Sequence, residues 1–190
     1  MMRLKAAAVG FLLAIAVLMS GCQSAMIAAR HEPPIVPTTS VVPTKRYLQK
    51  LTLHWQDEQH HLLGVVEQGD RRVSLAVLTP EGVVLFSVVQ TDEDVVIERN
   101  PMVPEALSPR RILAEVALLN WPLEDLVYPS PWQVAQTRDC RTLQNAGAIV
   151  VQAQYFPQIE GWQRAEMTQP EFGYRLEIVP LQEQAAPDEH

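Results

Sequence analysis

Two cysteines, Cys22 and Cys140, are all that this 190-residue chain contains, which rules out a disulfide framework as its source of stability. Positive charge is scarce as well. Fifteen Lys and Arg face 22 Asp and Glu, a formal charge of −7. A nucleic-acid binder gains affinity from the phosphates it neutralises, so an acidic chain with scattered cations is excluded from that class. Past Met19 there is no long apolar run, and the run Ala6 to Met19 is shorter than the ~20 residues of a spanning helix. Catalytic fingerprints are missing too: no P-loop, no dinucleotide glycine pattern, no G-x-S-x-G elbow, no H-E-x-x-H pair. Cys140 with a distant His is too little for nucleophilic catalysis. His60-His61 cannot both reach one ion from a regular strand, because neighbours point to opposite faces. Asp92-Glu93-Asp94 beside Thr91 reads as a solvated turn. No metal site is expected.

What is present begins at the N-terminus. Arg3 and Lys5 precede the apolar run, which exits through Leu18-Met19-Ser20-Gly21-Cys22. A charged start, apolar middle and small-residue exit describe a secretory signal. The five exit residues resemble the lipobox of bacterial lipoproteins. That resemblance implies diacylglycerol on the Cys22 sulfur, cleavage of residues 1–21 and acylation of the new amino group. Three acyl chains such as palmitate, at ~0.8 kcal/mol per buried methylene, hold a protein on a membrane almost permanently. Gln23-Ser24 follows the cysteine where an inner-membrane lipoprotein carries Asp, so the address implied is the periplasm-facing leaflet of the outer membrane. Apart from this covalent lipid no cofactor is expected. The mature part has 169 residues, with 13 basic and 22 acidic ones, so its charge is −9. Anionic headgroups would repel it, and the anchor has to be covalent. Cys140 is then either a small buried hydrophobe or a thiol that pairs with a partner.

Residues 22–46 form a lipidated N-terminus and tether. Pro33, Pro34, Pro37 and Pro43 break helix and sheet pairing, and an extended spacer of this length reaches roughly 60–75 Å. From Tyr47 the chain alternates. Leu51, Leu53 and Trp55 share one strand face, Val73, Leu75 and Val77 another, and Val84, Phe86 and Val88 a third. Thr79-Pro80-Glu81-Gly82 suits a four-residue turn between the last two. With Leu62–Glu67 and Val95–Glu98 these segments predict an antiparallel meander. Ser108 as N-cap and Pro109 at the first position then open a helix to Asn120. Its stripe of Ile112, Leu113, Val116 and Leu119 faces the sheet, with Arg110, Arg111 and Glu115 on the other side. Strands return at Ile149–Tyr155, Trp162–Thr168 and Phe172–Val179. Residues 182–190 read as a flexible tail. The expected fold is mainly β over residues 47–181. A sheet of eight to ten strands must curl, giving an unclosed antiparallel barrel with one helix across its hydrophobic concave face.

The order of these parts resembles LolB, the outer-membrane lipoprotein that accepts lipoproteins from the periplasmic carrier LolA. More closely it is similar to a family of bacterial lipoproteins with a LolB-like plan, found beside fatty-acid-like and aryl-polyene synthesis genes. The resemblance implies helices covering a hydrophobic cavity, a lipid or acylated cargo, and a soluble LolA-like carrier as partner. It departs at one point. The LolB turn carries an exposed leucine, whereas the residue before Gly82 here is Glu81, and a carboxylate enters hydrocarbon only at a cost of several kcal/mol.

The expected function is an anchored, monomeric binding protein that takes up and passes on lipid without catalysis. Its expected cavity residues are Leu53, Trp55, Leu75, Val77, Phe86, Val88, Ile112, Val116, Tyr174 and Leu176. The alternative is a structural or assembly lipoprotein with a packed core that docks onto an envelope complex. An enzyme, the third reading, would require paired carboxylates or a strongly shifted His in a cleft. The hollow beneath the helix discriminates among them: empty and apolar, filled, or polar.

Overall fold

Alternation and tight turns build a single sheet. The computed structural model describes residues 32–38, 45–69, 71–103, 107–157 and 162–185. The strands are β1 Lys45–Trp55, β2 Glu58–Gly69, β3 Arg72–Leu78, β4 Val84–Gln90, β5 Val95–Arg99, β6 Trp132–Gln136, β7 Cys140–Asn145, β8 Ala148–Pro157, β9 Trp162–Gln169 and β10 Tyr174–Ala185. They lie in the order β5-β4-β3-β2-β1-β10-β9-β8-β7-β6, each antiparallel to its neighbours. The first and last strands pair at the centre, and each wing is a meander. The outermost strands, β5 and β6, do not pair with each other, so the barrel is open.

One helix, α1 (Pro109–Asn120), packs on β4 and also on β7 and β8. In a flat sheet with strands ~4.8 Å apart, β4 and β7 would lie about 34 Å from each other. A 12-residue helix is only about 18 Å long. It touches both wings because the sheet curls around it. The fold is therefore the expected one, an unclosed antiparallel half-barrel with a helix on its concave face.

Ser108 caps the helix, its hydroxyl accepting from the Arg111 amide, and Pro109 takes the first position. At the other end the chain supplies donors for the last carbonyls. Arg141 Nη1 donates to Leu118 O at 3.0 Å and Trp121 O at 2.6 Å, and the Tyr155 hydroxyl donates to Leu119 O at 2.9 Å. These bonds satisfy groups that a helix end otherwise leaves orphaned.

Four expectations need correction. The proline-rich stretch is not wholly a tether, because residues 32–38 lie against the domain. Val36 is 1% exposed and its carbonyl accepts from Gln90 Nε2 at 2.7 Å. Thr38 donates to Asp92 Oδ1 at 2.6 Å or to Arg71 O at 3.0 Å, Arg71 pairs with Asp92, and Glu32 meets the Ser108 hydroxyl. A buried segment outside any sheet leaves amide N–H groups unpaired, and Pro33, Pro34 and Pro37 have none to leave. Second, residues 182–185 are not tail but the end of β10, pairing with Lys45–Leu48 of β1. Third, β6 and β7 have no counterpart in the sequence reading, because only Leu143 is buried in them and no two-residue period marks them. Fourth, Arg111 and Glu115 are 2% exposed and face inward rather than to solvent. Among the described residues no helix is long and apolar enough to cross a membrane. Residues 1–31, including the signal segment and Cys22, and residues 186–190 lie outside the described ones.

Candidate functional site: an apolar cavity under the helix

Between the first turn of α1 and the concave face of β1–β4 and β10 lies a cavity of about 620 Å³. That is within the range of small-molecule sites. The central pair β1–β10 supplies its floor. Leu53 stands opposite Leu176 and Trp55 opposite Tyr174, since facing residues of an antiparallel pair share a face. Val77 and Phe86, paired across β3 and β4, form one wall. Ile112 hangs from the helix as the roof. Seven of the ten expected residues, Leu53, Trp55, Val77, Phe86, Ile112, Tyr174 and Leu176, thus surround the hollow.

Leu75, Val88 and Val116 are not in its wall. Leu75 and Val88 are the next facing pair along β3 and β4, and at 3% and 0% exposure they belong to the solid core. Val116, one turn after Ile112, packs half-buried against that core. Two-residue periodicity finds the concave face but not how far along it the filling stops.

The wall also has residues the sequence reading missed. Leu51 continues the Leu53–Trp55 alternation. Leu85 does not: Val77 pairs with Phe86 and Leu78 with Val84, which leaves Leu85 as the extra residue of a β-bulge. Bulges re-aim side chains, and this one lets both Leu85 and Phe86 reach the cavity. Met102, Val103 and Leu107, from the connection before α1, close one side. At the rim stand Pro80 and Glu81 of the turn 79–82, formed as expected: Gly82 N–H donates to Thr79 O at 2.9 Å and Gly82 has φ +88°. Glu81 is exposed, and a hydrogen bond from Thr79 lowers its carboxyl pKa. Gln59, His60 and His61 complete the rim.

One wall is polar. Glu115 Oε1 accepts the Tyr174 hydroxyl at 2.5 Å and Gln169 Nε2, and lies 3.8 Å from Arg111 Nε. The Arg111 guanidinium stacks 3.5 Å from the Phe172 ring centroid. Burial pushes the Glu115 carboxyl up to about 7, outweighing the Tyr174 and Gln169 hydrogen bonds and the Arg111 charge that pull it down. Burial likewise raises the Tyr174 hydroxyl well above its ordinary value. The helix reading missed this cluster because an i,i+4 Arg–Glu pair is ordinarily a solvent-facing feature. The described residues contain no group of three or more His, Cys, Asp and Glu able to hold a metal ion. Cys140 is half-buried, and burial raises its thiol pKa.

An open β half-barrel that stands its helix over an apolar hollow defines the class of fold. Within that class, the chain belongs to the family described as protein of unknown function DUF3261, whose model matches residues 46–182. Among solved structures, it is similar to a domain from Vibrio parahaemolyticus assigned to outer-membrane lipoprotein sorting. The TM-score is 0.42 and the identity 8%, over 77% of this chain and 87% of that one. No curated protein matches the chain.

Proposed function

We propose that this protein is an outer-membrane lipoprotein, anchored through Cys22 and facing the periplasm, that holds the hydrocarbon part of a lipid or acylated cargo in its cavity and passes it on without catalysis. The observation that carries the reading is an unfilled apolar space of about 620 Å³ inside a domain whose remaining core is tightly packed. Apolar walls facing water forgo the dense dispersion contacts of a packed interior. A chain-shaped apolar guest restores them and adds ~25 cal/mol per Å² of surface removed from water. An acyl chain suits this purpose, and so does a polyene chain of the kind the family resemblance implies. A soluble carrier on the donor side fits the same scheme.

The packed-core assembly lipoprotein is disfavoured by the same hollow. The test is native mass spectrometry and fluorescent acyl-probe uptake on residues 31–190, one compact unit. Co-purified lipid, or saturable uptake that Ile112→Trp blocks, is the expected result. Absence of both lipid and uptake overturns the proposal.

A further inference from the structure

A cavity meant only for hydrocarbon has no use for an ionisable wall. Burying a carboxyl is costly unless it is fully hydrogen-bonded, and this one is satisfied on one side only. Both bonds to Glu115, from Tyr174 and Gln169, arrive at Oε1. No hydrogen bond among the described residues engages Oε2, although Glu115 borders the cavity. We propose that the cavity takes an acyl or alkyl chain ending in a neutral hydrogen-bond donor, a hydroxyl or an amide N–H, and that Glu115 Oε2 accepts that donor. This rests on the reading of the cavity as a hydrocarbon site and names the head of the guest.

The surrounding charges select among heads. Arg111 would attract an anion, but its guanidinium lies against the Phe172 ring and beside Glu115 Oε1, and it is not part of the cavity wall. An anionic head entering the hollow meets the Glu115 carboxyl first, and like charges in a low-dielectric site repel strongly. A head without any donor leaves Oε2 unpaired after water has been expelled. A hydroxyl or amide N–H completes the set, with Gln169 and Tyr174 fixing the carboxyl from behind. Hydrogen bonds to an ionised acceptor are the stronger kind, so the preference for a donor head is about ten-fold in affinity.

The test is displacement of a bound naphthylamine probe from residues 31–190 by three guests of equal chain length, 1-dodecanol, dodecyl methyl ether and dodecanoate. It is run at pH 8.5, above the Glu115 titration. The expected result is that dodecanol displaces the probe at about one tenth the concentration that the other two need. In Glu115→Gln that preference shrinks to within about three-fold, each guest being compared with the probe's own affinity for the same variant. Equal displacement by dodecanol and ether in the wild type, which needs no variant to fold, overturns the donor-head proposal and leaves the hydrocarbon site standing. Tightest binding by dodecanoate overturns it equally. If no guest displaces the probe, the hydrocarbon site itself fails, and the head-group proposal with it.

Discussion

The two wings of the sheet treat the helix differently. On the β6–β9 side the core is packed: Leu143, Val151, Ala153 and Ala165 are fully buried and Met167 nearly so, with Leu118 of the helix at 0%. The cleft of about 440 Å³ beyond the helix end there is walled largely by polar residues such as Asn120, Arg138 and Asp139. Small side chains at Ala153 and Ala165 let the layers approach, and Arg141 and Tyr155 grip the C-terminal carbonyls of α1. On the β2–β5 side the first helical turn stands over a hollow, and no residue of β6–β9 lines it. The last turn of the helix is therefore clamped, whereas its first turn roofs a space. Packing and the open hollow thus fall at opposite ends of one 12-residue rod, and the proposed binding belongs to the second.

That division can be broken most decisively in the packed wing. Leu143→Ala leaves a cavity where nothing can collapse and is expected to cost about 2–5 kcal/mol in chemical denaturation, with probe affinity little altered in the folded fraction. Trp55→Ala on the hollow side should do the reverse, weakening probe binding at least five-fold at a smaller cost in stability. Equal effects of both substitutions would erase the distinction between the wings.

A few kcal/mol also rides on Glu115. Its carboxyl pKa is raised from 4.5 to about 7 in the folded state, so the folded chain binds more protons than the unfolded one between these values. Stability therefore falls as pH rises from about 4.5 to 7 and levels off above. Thermal denaturation across that window should show the slope, and Glu115→Gln should flatten it. Arg141→Ala, which frees two helix-end carbonyls, is expected to cost about 1–2 kcal/mol by the same denaturation assay, without change in binding. Smallest is Glu81→Ala. The residue is exposed, so a shift within ±0.5 kcal/mol is expected, and a larger one would mean that the rim supports the fold.

How much of this was legible in the sequence follows from which signals are periodic. The β1–β5 meander, α1 and the concave-face residues around Leu53, Val77 and Phe86 were legible because one face is apolar and the other polar. β6 and β7 were not, since an edge hairpin with one buried leucine has no period. Arg111 and Glu115 looked like surface charges because helical spacing alone does not say that the helix is enclosed from two sides. Leu85 escaped because a bulge moves a side chain without altering the letters around it. Residues 32–38 escaped for a different reason: proline is the signature of a linker and also of a segment that can be buried without amides to satisfy.

The packed stretch 32–38 sets the length of the leash. Nine residues, ten Cα-to-Cα steps, separate Cys22 from Glu32, and fully stretched they span at most about 35 Å. Glu32 meets Ser108, next to Leu107 in the cavity wall. An acyl anchor at Cys22 would therefore keep the Leu107 side of the cavity within about one bilayer thickness of the headgroups. A domain held so close would not fetch a guest from across the periplasm. Under the proposed function, delivery would have to come to it, and release would happen where it already stands.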